Sequence, residues 1–118
     1  MVIGLQSTKD QGVHLGENDD IHVWKRFQFE AAHQLPNVPV DHKCGRMHGH
    51  SFQVIVHANT QLSSNNLSIV YEKLDALWEP IDELLNYNCL NLIKGLHNPT
   101  SEMLAQWIWE KIVNQLPS

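Results

Sequence analysis

Residues 41–59, DHKCGRMHGHSFQVIVHAN, begin as a loop and end as a strand. Cys44 and Gly45 precede the triplet His48-Gly49-His50, after which Phe52, Val54, Val56 and Ala58 alternate with Ser51, Gln53, Ile55, His57 and Asn59. Alternation at period two predicts an extended segment whose even-numbered face is apolar. His48 and His50 share that parity, so two imidazoles at i and i+2 point to one side. With one more histidine they would make a three-nitrogen zinc site with a position left open.

The third histidine lies upstream. From Ile21 onward Val23, Lys25, Phe27, Phe29 and Ala31 alternate with His22, Trp24, Arg26, Gln28 and Glu30, which predicts a strand with a mainly apolar odd face; His33 continues it. Residues 34–47, with Pro36, Pro39 and Gly45, read as the intervening loop. His33, His48 and His50 thus sit on extensions of two buried faces, where a metal could be held away from bulk water. The ordinary alternative is that His33 and His50 are strand-end imidazoles bonded to backbone.

Cys44 has two readings. It is either the fourth ligand of a closed site or a free thiol beside an open one, and the spacing Cys44-x3-His48 permits both. Lys43, Arg46 and a zinc ion would favour its thiolate, which can act as base or nucleophile. Of the eight histidines, His14 and His22 read as solvated, and His57 faces away from the triad. His42 and His97 are loop residues able to approach the site, and Cys89 reads as a small buried filler.

On the C-terminal side, residues 59–67 form a polar connector, and Leu74, Leu77, Trp78, Ile81, Leu84 and Leu85 then fall at helical spacing. Pro80 removes one donor from that helix, predicting a kink or break near residues 76–78. A loop over 86–97 leads to a second helix, with Asn98 as cap, Pro99 at its first position and Glu102 in its first turn. Leu104, Ile108, Ile112 and Leu116, flanked by Met103 and Trp107, give it a wide apolar face.

Residues 1–20 are polar, contain Gly4, Gly12 and Gly16, and show no sustained period, so they read as a mobile arm ahead of one domain over 21–118. A chain of 118 residues, 42% hydrophobic and 18% charged, suits a single domain whose core assembly could complete. A net charge of -5 without a basic run argues against nucleic acid or an anionic membrane as partner. Two cysteines far apart, no secretory leader and no membrane-length apolar run lead to the expectation of a cytoplasmic protein.

FQFEAAHQLP (27–36), DHKCGRMHGHSF (41–52) and HNPTSEMLAQWIWEKI (97–112) together resemble the 6-pyruvoyltetrahydropterin / 6-carboxytetrahydropterin synthases, in particular the bacterial branch of the queuosine (7-deazaguanine) pathway. The resemblance implies an α+β tunnelling fold: antiparallel strands with two antiparallel helices on one face, assembled as a homo-oligomer with active sites at subunit interfaces. It implies Zn2+ on His33, His48 and His50, Cys44 moving a proton, and substrate binding at Thr100, Ser101 and Glu102. The implied reaction is lyase cleavage of 7,8-dihydroneopterin triphosphate, a pterin triphosphate, with loss of triphosphate and acetaldehyde.

The chain departs from that pattern at named positions. The family's Leu-Asp-His-His-x-Leu-Asn is Leu85-Asn86-Tyr87-Asn88-Cys89-Leu90-Asn91 here, and its Asp-Phe at the start of the first helix is Val70-Tyr71. Neither Asn86 nor Tyr87 replaces a carboxylate-oriented imidazole. The family's last two strands, one bearing a Glu that grips the pterin ring, have no counterpart before Ser118. The expected sheet therefore has two members with exposed edges, which invites pairing with other chains.

Overall fold

The computed structural model describes residues 10–17, 20–39, 41–61 and 67–116. The element order is β1 (Gln11–Leu15), β2 (Asp20–His33), β3 (His48–Gln61), α1 (Leu67–Leu85), β4 (Asn88–Cys89) and α2 (Ser101–Val113), with short 3-10 turns at Lys43–Gly45 and Leu90–Leu92. The sheet order is β1-β2-β3, and β4 joins β2 at its far end. β1 runs antiparallel to β2 with His14 opposite His22, and β4 runs parallel to it with Ala31 opposite Asn88.

Two expectations are thereby corrected. The arm over 1–20 contains a strand, Gln11–Leu15; residues 1–9 lie outside the described part. Among the described residues the sheet has four strands rather than two. Trp24 accounts for the first change: placed by parity among the polar residues, it is only 8% exposed. Its ring lies where a Cβ on Gly12 would come within 2.5 Å. Only glycine there lets β1 lie flat beneath the indole, so a segment without its own hydrophobic period is held by one aromatic ring.

The chain forms two compact units, Met1–Gln28 with Gln53–Trp78, and Phe29–Phe52 with Glu79–Ser118. In the first, Ile21 and Val23 from the odd face of β2 are buried with Val70 and Leu74 of α1, and Phe27, Val56, Ala58, Tyr71 and Leu77 pack around them. Phe27 stacks on Trp78 at 5.0 Å between centroids, and the Lys25 ammonium pairs with Asp75. In the second, Phe29 stacks on Phe52 at 5.0 Å. Leu85, Leu90, Leu96 and Ile108 are fully buried there, each contributing about 1.5–3 kcal/mol relative to exposure.

α1 runs through Pro80 as one helix, so of the expected kink or break the break does not occur. One missing donor leaves the ladder intact on either side, and Trp78, Ile81 and Leu85 anchor the helix by burial. At its end Tyr87 adopts φ 60, the left-handed position that glycine usually fills after a helix. Asn88 donates to the Leu84 carbonyl at 2.9 Å. The loop expected over 86–97 thus contains β4 and a 3-10 turn.

α2 begins later than its sequence suggests. Thr100, not Asn98, is the cap, its hydroxyl accepting from the Met103 N–H at 3.3 Å. Leu104, Trp107, Ile108 and Ile112 form the buried face, whereas Met103 and Leu116 are exposed. No helix among the described residues is long and apolar enough to cross a membrane.

Candidate metal centre

β2 ends at His33 and β3 begins at His48, so the two strands deliver His33, His48 and His50 to one place. One ligand nitrogen from each ring lies within 4.8 Å of the others. Ring centroids are 4.6 Å apart for His33–His48 and His48–His50, and 5.3 Å for His33–His50. Phe52 forms an aromatic wall, edge-on to His33 at 5.4 Å and to His50 at 5.7 Å.

Two of the three rings have their Nδ1 engaged. His33 Nδ1 donates to the Pro99 carbonyl at 2.9 Å, and His48 Nδ1 to the Arg46 carbonyl at 2.6 Å. A ring whose Nδ1 carries its proton offers Nε2 as the lone pair, and metal-binding histidines are commonly oriented in this way. Burial lowers the His33 pKa; the Pro99 bond opposes this, while His48 and His50 add to it. A neutral ring is the ligating form. A divalent ion with nitrogens at about 2.0–2.1 Å fits such a cluster.

Cys44 stands apart from the cluster, which contains imidazoles and no thiol. It lies half-buried in the 3-10 turn Lys43–Gly45. His42 caps that turn, its Nδ1 accepting from the Cys44 N–H at 3.1 Å. The Leu35 N–H donates to the Cys44 carbonyl at 2.8 Å, and Gln34 Nε2 to the Gly45 carbonyl at 2.6 Å. Asn91 holds both backbone groups of Gln34, at 2.8 and 2.7 Å. The turn is therefore tied to the residues that follow His33. The grouped ligand atoms are thus three imidazole nitrogens, without Cys44 as a fourth.

Of the other sequence candidates, Thr100 uses its hydroxyl as the α2 cap, and Ser101 and Glu102 are exposed in the first turn. His97 is exposed. Asn86 accepts from the Glu30 N–H at 2.8 Å, and the Tyr87 N–H donates to the Glu30 carbonyl at 2.5 Å. These two residues therefore anchor β2, while the Tyr87 side chain is 83% exposed. An open depression of about 410 Å3 is lined by Glu30, Gly49, His50, Tyr87, Asn88 and Cys89, among others. The Glu30 carboxylate there accepts from the Ser51 hydroxyl at 2.6 and 2.8 Å.

Sequence reading missed Pro99 and Arg46 as orienting groups, because their contribution is a carbonyl, common to every residue type. It also missed the Glu30–Ser51 pair, whose signal was present as two polar residues on the outward faces of neighbouring strands.

Comparison with known proteins gives the family and the fold. A sequence model of the family described as 6-pyruvoyl tetrahydropterin synthase matches residues 22–118. The 6-carboxy-5,6,7,8-tetrahydropterin synthase of Synechocystis sp. is 38% identical over 96 residues, covering 76% of this chain and 73% of that protein. A relative from Archaeoglobus fulgidus is 26% identical over 87 residues, 74% of this chain and 71% of its own. The structure of Caenorhabditis elegans 6-pyruvoyl tetrahydropterin synthase aligns with a TM-score of 0.61 over 84% of this chain and 81% of that one; at 17% identity it shows a shared fold.

Proposed function

Since the chain belongs to the 6-pyruvoyl tetrahydropterin synthase family and has its α+β tunnelling fold, we propose that it is a zinc-dependent lyase of the 6-carboxytetrahydropterin synthase type. Its substrate would be 7,8-dihydroneopterin triphosphate, in the queuosine (7-deazaguanine) pathway. The observation that carries this reading is the convergence of His33, His48 and His50, with two outer nitrogens on backbone carbonyls. The Synechocystis relative's name supports the product class.

His33, His48 and His50 would hold Zn2+ through their inward nitrogens. When bound, the ion supplies Lewis-acid polarisation of the substrate's side-chain oxygens. Cys44 would move a proton, its turn being tied to the residues after His33 by the bonds from Leu35 and Gln34. Thr100, Ser101 and Glu102, at the start of α2, would bind substrate. Pro99, immediately before them, is tied to His33, so ligand binding at the helix start would be transmitted to a metal ligand. The proposal places the chain in a reducing cytoplasm, which the free thiols Cys44 and Cys89 suit. It also makes the chain a homo-oligomer, for which the exposed Met103, Trp109 and Val113 of α2 offer apolar surface.

A second reading has its own support. Asn86 and Tyr87 stand where the family has Asp and His, and they serve β2 rather than Cys44. On that reading the chain binds zinc and assembles without turnover. The deciding experiment supplies zinc and 7,8-dihydroneopterin triphosphate and measures acetaldehyde and triphosphate. Release of both, abolished in Cys44→Ala, supports the lyase; zinc binding with neither product, beside an active relative, supports the second reading.

A further inference from the structure

We propose that the sheet carries a second transition-metal site, formed by His22 and His57 with His14 at its rim. His22 stands near the start of β2, whereas His33 ends it. β1, with His14, lies before the span matched by the family, residues 22–118.

His22 Nε2 lies 2.5 Å from His57 Nδ1, with ring centroids 4.7 Å apart. His22 Nδ1 lies 2.9 Å from Asn59 Oδ1. An amide oxygen only accepts, so Nδ1 carries a proton, and in the neutral ring Nε2 is a lone pair directed at His57. The same device orients His33 and His48, with an amide side chain in place of a backbone carbonyl. Two ring nitrogens this close share a cation. Without metal it is the proton of their hydrogen bond; a divalent ion competes for the same place, the nitrogens parting to about 3.3 Å at tetrahedral zinc distances.

His14 completes a row across three strands. It is the register partner of His22, and directly opposed residues hold their Cβ atoms about 4.5–5.5 Å apart on one face. Its ring is exposed and free to change rotamer on the nanosecond scale. Trp24 seated over Gly12 fixes that register. The row lies on the face of β2 opposite Ile21 and Val23, which pack with α1. An all-imidazole donor set selects Zn2+, Ni2+ or Cu2+ over Mg2+ or Ca2+. Bound there, an ion would pin β1 to β2 and β3.

The test adds Ni2+ to the full chain preloaded with one equivalent of Zn2+ and follows the imidazole NMR signals, which the paramagnetic ion broadens. The rings of His22 and His57 should broaden first, with His14, ahead of the exposed His42 and His97. His14→Ala should raise the Ni2+ concentration at half-broadening, and His22→Gln should abolish the early phase. Because His22→Gln breaks a partly buried pair, the wild-type titration alone is decisive. Broadening of His22 and His57 no earlier than that of His97, or none at all, overturns the proposal.

Discussion

His33 Nδ1 lies 2.9 Å from the carbonyl oxygen of Pro99, which ties the end of β2 to the chain just before α2. The bond satisfies a buried donor, fixes the ring's tautomer and aims its other nitrogen at His48 and His50. One contact thus joins fold stability to the geometry of the histidine cluster.

Replacing His33 should therefore cost both. His33→Ala removes one ring of the proposed zinc site and a buried hydrogen bond and leaves the Pro99 carbonyl short of a partner, a loss of about 1–3 kcal/mol. Urea unfolding of the metal-free chain should show this loss, and zinc retained after dialysis should fall in parallel. A variant of wild-type stability that keeps its zinc would break the link.

Acid should weaken the metal-free fold through the same ring. Burial depresses the His33 pKa below the ordinary 6.5, so the unfolded chain takes up this proton before the folded one. Stability is full above about pH 6.5 and falls as pH drops from there, until the folded ring is protonated too. Thermal melts of the wild-type chain and His33→Asn between pH 7.5 and 5 should diverge in slope, the wild type being the steeper. Parallel slopes would show that this ring does not contribute.

Tyr87 occupies a left-handed position at φ 60 after α1, with its side chain exposed. Tyr87→Gly should remove that strain and stabilise the chain by up to about 1 kcal/mol, partly offset by the greater freedom of the unfolded chain. Denaturant midpoints decide the sign. Destabilisation would mean that the aromatic side chain makes a contribution larger than the strain.

Gly12→Val should detach β1, because its Cβ would meet the Trp24 ring. The expected cost is about 1–3 kcal/mol, with red-shifted tryptophan emission and faster amide exchange over Gln11–Leu15. Unchanged exchange there would contradict the seating of Trp24 on this glycine.

Much of this was legible in the chain. Period-two alternation located β2 and β3, and parity placed His33, His48 and His50 together, because strand geometry leaves a side chain only two faces to choose from. The helices followed from the burial of Leu74, Trp78, Ile81, Leu104 and Ile108. β1 was not legible, since its order comes from Trp24 packing on Gly12, a long-range contact without local period. The α2 cap was misplaced because Asn98-Pro99 and Thr100 both suit a helix start, and the choice was made by His33 taking the Pro99 carbonyl. His22 has no local signal of a partner, because His57 and Asn59 come from a strand distant in sequence.

Zinc-edge anomalous diffraction from crystals grown with one equivalent of Zn2+ tests the central claim most directly. A single strong peak within bonding distance of the inward nitrogens of His33, His48 and His50, lost in His48→Gln, is the predicted result. Ordered imidazoles with no peak among them, under conditions where the chain retains zinc elsewhere, would contradict it.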